Sequence, residues 1–436
     1  MLSSAFNVRV PLSAGDVFLM NTLTDAQLVV SPDVAELLDG REPAQDGAQM
    51  PPATREAVSA LAEHGFLVPT REREWEALET HFARHREDAS ELRVTVLTTL
   101  QCNFACDYCY QGDHAPSSAP AAKMSPETAG RVVAWVEREM ARVRPRRLVL
   151  TFFGGEPLLN TPAMFEIAGR CWLAAQEAGI EQAVTIITNG LLLSPAIVER
   201  LLPFGLRAVK VTLDGDRETH DRTRPLRGGQ GTFDRIIENI RQVAPLVPIS
   251  IGGNFDAASV ESYPALLDFL KDQDFAGQIR QVAFKPVIRP SAQAAPRGVI
   301  PLTLVGQDRA PLNGSCTTSA GSSSGSVCDS CHFVDDQMAF LQGETRRHGF
   351  ATVDGVHMGP CELYRRHSHT IGPDGSLFAC PGFTGDQAQA VGHIHRDADP
   401  VQAAASARFG RLAPWRQCGD CAFIPEIGRA SCRERV

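Results

Sequence analysis

Between Leu92 and Val287 the chain alternates short runs that are apolar at nearly every position with longer stretches whose apolar residues recur every three or four. The runs are Val94 to Leu100, Leu148 to Phe153, Val184 to Ile187, Ala208 to Leu213, Ile249 to Ile251 and Val282 to Phe284. A strand that is apolar on both faces is buried on both, so these predict a parallel sheet. The stretches near Pro126 to Val143, Ala163 to Ala178, Pro195 to Leu202, Phe233 to Val243 and Val260 to Lys271 predict its right-handed crossover helices. Six such units are too many for a small doubly wound domain and too few for a closed eight-fold barrel. In either arrangement the chemistry gathers at the carboxyl ends of the strands.

The flanking regions read differently. Residues 1 to about 90 open with three alternating segments, Phe6 to Leu12, Asp16 to Leu23 and Gln27 to Val30, which predict strands. Ser31 and Pro32 form an N-cap and N1 pair before a helix stopped by Gly40, and a second helix over Thr54 to His64 ends at Gly65. The charged run Arg71 to Asp88 is expected to be a solvated linker helix. Residues 289–355 lose the alternation, and Gly314 to Ser326 is rich in Gly, Ser and Thr, which predicts a long flexible bridge. Residues 356–426 carry short strands and turns with too little core to stand without a staple.

Composition narrows the classes. With 43% hydrophobic and 21% charged residues the chain is that of a soluble globular protein, and no apolar run is long enough to span a bilayer. Met1 to Leu12 contains Arg9 and Pro11 and has no apolar core of a secretory signal, so a cytoplasmic location is expected. A net charge of −9 disfavours nucleic acid as a main partner. Twelve cysteines in 436 residues are too sparse for a disulfide scaffold but are clustered, which points to metal ligation in a reducing compartment.

Cys102, Cys106 and Cys109 follow the first of the six strands directly, with spacing x3 and x2. Three thiolates cannot saturate the four irons of a cubane cluster, so one iron keeps an open position for another ligand. A structural zinc, or three fortuitously buried thiols, would fit the spacing as well. Cys-x3-Cys-x2-Cys with Tyr108 before the last Cys resembles the signature of the radical S-adenosylmethionine (SAM) superfamily. The resemblance implies a partial (β/α)6 barrel over residues 91–288, a [4Fe-4S] cluster on the three cysteines, and SAM at its open iron. It also implies further cofactor-binding residues. Gly154-Gly155-Glu156-Pro157 matches the superfamily's GGEP motif, whose glycines let backbone approach the ligand and whose Glu accepts from the methionyl ammonium. Thr188-Asn189-Gly190 ends the third strand, and Thr212-Leu213-Asp214-Gly215 the fourth, in a block running on through His220, Asp221 and Arg224. By resemblance Asn189, Thr212 and Arg224 join the cofactor-binding set, with Thr212 and Arg224 on the ribose and carboxylate of SAM, while His220 and Asp221 fix the loop.

The carboxy-terminal cysteines resemble the SPASM branch of the superfamily. Cys361, thirteen residues, Gly375, four residues and Cys380 fit its first pattern, and Cys418-x2-Cys421 opens its second. The resemblance implies a truncated cysteine-rich SPASM domain holding one or two auxiliary [4Fe-4S] clusters; a zinc knuckle on the same four thiols is the alternative. The third Cys of the second pattern falls due at position 427. There the last ten residues, Ile427 to Val436, read as the translation of a common sequencing adapter, and they are set aside with Cys432 as foreign to the natural sequence. Cys316, Cys328 and Cys331 in the bridge fit no pattern and are auxiliary-cluster ligands, zinc ligands, redox-active thiols near the substrate or exposed loop thiols. Cys171 is expected to be a buried helix cysteine, and His393-Ile-His395 to lie in a short strand.

The function implied is that of an oxidoreductase which generates a 5′-deoxyadenosyl radical and modifies a ribosomally made precursor peptide or protein, reduced by a flavodoxin or ferredoxin. The α+β unit would then be a winged-helix peptide-recognition domain or a plain extension. A formylglycine-forming sulfatase maturase is the second reading; that class carries Asp directly after the Cys of Gly-x4-Cys, and here Pro381 follows Cys380. A noncatalytic iron–sulfur carrier or zinc scaffold would need neither the GGEP nor the LDG motif.

Overall fold

The computed structural model describes residues 1–39, 51–109, 123–290, 302–304, 329–352, 361–398, 400–410 and 421–426. The chain divides into two compact units. The first contains residues 1–88 with the described parts of 356–366 and 412–435. The second contains the rest.

In the first unit β1 (Leu2–Ser3) pairs antiparallel with β5 (Leu67–Val68), and β2 (Asn7–Pro11), β3 (Val17–Asn21) and β4 (Ala26–Val30) form an antiparallel sheet. Helices α1 (Pro32–Glu36) and α2 (Pro52–Glu63) follow β4, and Leu38, Leu61, Phe66 and Leu67 close over Leu19 of β3. Pro at the first position starts both helices, since the missing N–H would have had no partner there. The charged run forms α3 (Arg71–Glu87), capped by Thr70, whose hydroxyl accepts from the Arg73 N–H at 3.3 Å. It is more than the solvated linker expected. Leu78 and Phe82 are buried against Phe6, Tyr364 and Ile424, because one turn of i, i+4 apolar residues suffices to dock a helix that is charged elsewhere.

The second unit is built on six parallel strands: β6 (Glu91–Leu97), β7 (Arg147–Phe153), β8 (Glu181–Thr188), β9 (Leu206–Thr212), β10 (Ile249–Phe255) and β11 (Ile279–Pro286), adjacent in sequence order. Between them run α4 (Pro126–Val143), α5 (Thr161–Glu177), α6 (Pro195–Leu201), α7 (Arg217–Thr223), α8 (Phe233–Val243) and α9 (Tyr263–Lys271). Val94, Leu150, Ile186, Val209, Ile251 and Val282 from the six strands are all buried in one core with the inner faces of these helices. This is the partial (β/α)6 barrel predicted. A helix the pattern missed is α7, seven residues started by Asp216, whose carboxylate accepts from the Thr219 N–H at 2.9 Å. It is too short and polar to show a period.

After β11 come the antiparallel pair β12 (Ile288–Pro290) and β13 (Leu302–Leu304) and then α10 (Asp329–Arg347). The stretch read as a bridge therefore ends in nineteen residues of helix. Leu341 is buried in the barrel core, Met338 packs against it, and His348 Nε2 stands 3.0 Å from Asp268 Oδ1 on α9. Averaging this stretch with the Gly/Ser-rich segment before it hid the period. The segment expected to form one domain over 356–426 is likewise divided. Tyr364 and Ile424 pack in the first unit, while β14 (Ser368–Ile371) pairs parallel with β6 and continues through β15 (Ser376–Phe378) and β16 (Ala390–His393) as an antiparallel meander. With these three the sheet has nine strands. Helix α11 (Pro400–Gly410) follows. No helix among the described residues is long and apolar enough to cross a membrane.

The new strand buries a titratable group. His369 of β14 lies edge-on to Trp135 of α4, ring centroids 5.0 Å apart, and its Nε2 has no partner. Burial pushes its pKa down to about 4 from 6.5. Because the folded value is the lower one, the unfolded chain takes the proton first: the contribution is complete above about pH 6.5 and is lost as pH falls toward 4. At about 1.4 kcal/mol per unit this amounts to roughly 3 kcal/mol. His369→Leu should therefore flatten the fall of Tm across that window; an unchanged slope would mean that this imidazole is not the group responsible.

Candidate active site at the strand ends

The carboxyl ends of β6 to β10 carry the motif residues to one end of the sheet. The thiol loop leaves β6 and is fastened from several sides. Gly155 N–H donates to the Thr99 carbonyl at 3.0 Å and Glu156 N–H to that of Gln101 at 2.8 Å. This contact explains the two glycines. A Cβ on Gly154, whose φ is +141°, would stand 2.3 Å from the Thr99 oxygen, and one on Gly155 would stand 2.2 Å from the Gln101 oxygen. The backbone that the glycines admit is that of the thiol loop, where the sequence suggested the ligand. Further along, Ala105 N–H donates to the Pro225 carbonyl at 2.9 Å, Arg227 Nε to that of Cys102 at 2.8 Å, and Asn189 Nδ2 to Asn103 Oδ1 at 2.8 Å.

All three cysteines of the loop are free thiols, Cys102 and Cys106 half-buried and Cys109 exposed. Burial pushes the Cys102 thiol up and that of Cys106 to about 11, against the pull of the Arg224 charge; Cys109 opposes ionisation of both, and Cys102 that of Cys106. Among the described residues no three His, Cys, Asp or Glu side chains are already gathered as a metal centre. A cationic iron centre fits this donor set: it supplies the charge that favours thiolates over the buried thiols of Cys102 and Cys106.

Glu156 is fully buried and accepts three hydrogen bonds: Leu158 N–H at 3.0 Å and Thr188 Oγ1 at 2.7 Å to one oxygen, Asn189 N–H at 2.8 Å to the other. Burial raises its pKa against these bonds and the Arg224 charge. It stitches β7 to β8 and keeps one oxygen under-used. Pro157 starts the one-turn helix that follows, and Thr212 is the last residue of β9, paired with Gly252 of β10.

Arg224, after α7, is buried. Its Nη1 donates to the Tyr108 hydroxyl, its guanidinium lies 5.6 Å from the Phe104 ring centre, and its Nε has no partner. Burial opposes its charge, but Tyr108 and Asp214 beside it hold the pKa above the usual arginine value. The orphaned Nε–H is the donor a carboxylate ligand would need. His220 and Asp221 hold the surrounding loop. Asp221 Oδ1 accepts from Thr232 N–H at 2.6 Å and Phe233 N–H at 2.9 Å, and His220 Nδ1 accepts from Asp214 N–H at 3.1 Å. Asp214 and Asn254, at the ends of β9 and β10, belong to the same cluster and were given no role by the sequence. Asp214 stood in the LDG motif without an assigned part, and the signal of Asn254 was its position alone.

The remaining cysteines are placed unevenly. Cys361 and Cys421 lie in the first unit and Cys380, just after β15, in the second. Cys316, Cys328, Cys418 and the segment 427–436 lie outside the described residues, as does the side chain of Cys331 on α10. Cys171 is buried on α5, with its thiol pushed up to about 12 by burial. His393 ends β16, its ring 4.2 Å from that of His395.

A parallel half-barrel that gathers three free thiols, a buried GGE turn and an arginine at its strand ends has the architecture of a radical SAM core. Residues 96–253 match the Radical SAM superfamily, and a domain of that superfamily implies a [4Fe-4S] cluster and S-adenosylmethionine. An AdoMet-dependent heme synthase of Methanosarcina barkeri is 36% identical over 143 residues, 33% of this chain and 36% of that protein. The radical SAM cyclopropyl synthase TigE of Paramaledivibacter caminithermalis is 23% identical over 175 residues, 37% of this chain and 36% of that one. The chain thus spans about a third of the length of these two relatives. A solved structure of anSMEcpe with AdoMet and the Kp18Cys peptide shares the fold over 78% of this chain and 88% of its own, with a TM-score of 0.50 at 17% identity.

Proposed function

We propose that this protein is a radical SAM maturase of the SPASM branch, acting on a ribosomally made peptide. Cys102, Cys106 and Cys109 would hold the cluster, and Tyr108, Gly154, Gly155, Glu156, Pro157, Asn189, Thr212 and Arg224 would surround SAM. When bound, the pair supplies a reducing electron and a carbon-centred radical that takes hydrogen from an unactivated position. The chain's own part is to orient and to exclude water. Glu156 offers its under-used oxygen to an ammonium, Arg224 offers its Nε–H to a carboxylate, and the buried wall of Phe104 and Leu213 keeps the pocket dry.

The observation that carries the SPASM reading is the strand meander after Cys361: Gly375 sits in the turn between β14 and β15 and Cys380 just after β15, and these strands extend the sheet beside the very strand that leads into the thiol loop. Cys361, Cys380, Cys418 and Cys421 would bind one or two auxiliary [4Fe-4S] clusters, with Cys316, Cys328 and Cys331 as further candidates. The peptide substrate rests on likeness to anSMEcpe, solved with a bound peptide. The N-terminal sheet β2 to β4 would recognise that peptide by strand addition, and a flavodoxin or ferredoxin would deliver electrons in the cytoplasm. The test is direct. Anaerobically reconstituted protein given SAM and dithionite should release more 5′-deoxyadenosine when supplied with a short peptide encoded beside its gene, and that peptide should change mass. Release indifferent to every such peptide, with all masses unchanged, would overturn the peptide reading while leaving the radical SAM domain in place.

A further inference from the structure

Asp214 is fully buried at the end of β9, and both of its carboxylate oxygens are engaged. One carboxylate oxygen accepts from Asn254 N–H at 2.7 Å, which ties it to the end of β10. The other accepts from the Tyr108 hydroxyl and stands 3.5 Å from Arg224 Nη1. Tyr108 in turn accepts from Arg224, and Asn254 Nδ2 reaches its oxygen at 3.3 Å. The main chain closes the same circuit from behind. Asp214 N–H donates to His220 Nδ1, which makes Nε2 the protonated nitrogen; that nitrogen lies 3.1 Å from Thr232 Oγ1, whose hydroxyl donates to the Arg224 carbonyl at 3.0 Å. Asp214 and Arg224 are thus joined twice, once through a phenol and once through an imidazole.

Tyr108 sits between Cys106 and Cys109. The circuit therefore links the thiol loop to the arginine with the orphaned Nε. We propose that Asp214 is a positioning residue of the radical reaction, whose buried carboxylate fixes Tyr108 and Arg224 in one relation so that ligand binding at Arg224 is felt at the thiol loop. A solitary carboxylate in this place would be costly to bury, and the phenol, the guanidinium and the Asn254 amide offset that cost. Groups in one buried network lose their energies together.

This assignment rests on the radical SAM reading, and the experiment separates the two. Reconstituted wild type, Asp214→Asn, Tyr108→Phe and the double variant are compared for iron content, SAM affinity, and the electron paramagnetic resonance spectrum of the dithionite-reduced cluster with and without SAM. Wild type should show a spectrum that changes on adding SAM; a wild type without that change would fail the radical SAM reading and take this assignment with it. Asp214→Asn should keep its iron and its SAM-free spectrum, lose about ten-fold in SAM affinity, and show a smaller spectral response. The double variant should be little worse than either single one. Should Asp214→Asn fold poorly, Tyr108→Phe carries the test, since it leaves the carboxylate its Asn254 bond and should show the same ten-fold loss. Wild-type affinity and spectral response in the single variants, or losses that simply add in the double, would overturn the proposal.

Discussion

Changing Cys102, Cys106 and Cys109 together to Ala is expected to abolish reductive release of 5′-deoxyadenosine and to remove the iron bound at the barrel. The three thiols lie on one loop, clamped by Gly155, Asn189 and Arg227, and none is engaged in a disulfide. Their packing is slight and Ala keeps the Cβ: Cys109 is exposed, and Cys102 and Cys106 are only partly buried against the core. The variant should therefore keep its fold, visible as unchanged far-ultraviolet circular dichroism, while losing cluster absorbance at the barrel. Undiminished SAM cleavage by the triple variant would end the radical SAM assignment of this loop.

Glu156→Ala and Arg224→Ala should each weaken SAM binding by roughly ten- to a hundred-fold, the span of a lost charge-assisted contact, without loss of barrel iron. Each change also has a structural side. Removing Glu156 strands the Thr188 hydroxyl and the Asn189 N–H, and removing Arg224 takes the charge partner from the buried Asp214, which keeps its bonds to Tyr108 and Asn254. Glu156→Gln is the cleaner probe, because the amide oxygen can still take one of those bonds while the charge is gone. Equilibrium dialysis against labelled SAM, read beside iron content, checks the claim. Native affinity in both variants would show that neither group meets the ligand.

What the sequence revealed follows from which forces leave a local trace. The six parallel strands were legible because burial on both faces leaves almost no polar residue in a run such as Leu148 to Phe153. Helices α4 and α8 were legible to the residue because Ser125 and Pro126 mark one start, while Phe233, Ile236, Ile237 and Ile240 keep strict period. Helix α10 was lost beside a Gly/Ser-rich stretch, and α3 was misjudged because three buried residues are outnumbered by charges. The thiols and the GGE turn were visible as motifs. The reason for the glycines was not, since it lies in the carbonyls of Thr99 and Gln101, more than fifty residues earlier. Nor was the Asp214 circuit, because a buried carboxylate's partners come from Tyr108, Arg224 and Asn254 on three separate segments, and no local spacing records them.

The parallel pairing of β14 with β6 sets an order of events during synthesis. Ser368 to Ile371 lie against Arg93 to Val96, so one flank of β6 has its partner only after the whole six-stranded barrel has been synthesised. Until then the first barrel strand presents a row of unsatisfied amides, and sequence-distant pairing of this kind is slow to form. Chains halted before residue 368 would expose that flank and associate through it, whereas completed chains cover it with their own strand. These late strands thus act as the closing seam of the sheet that bears the reactive loop.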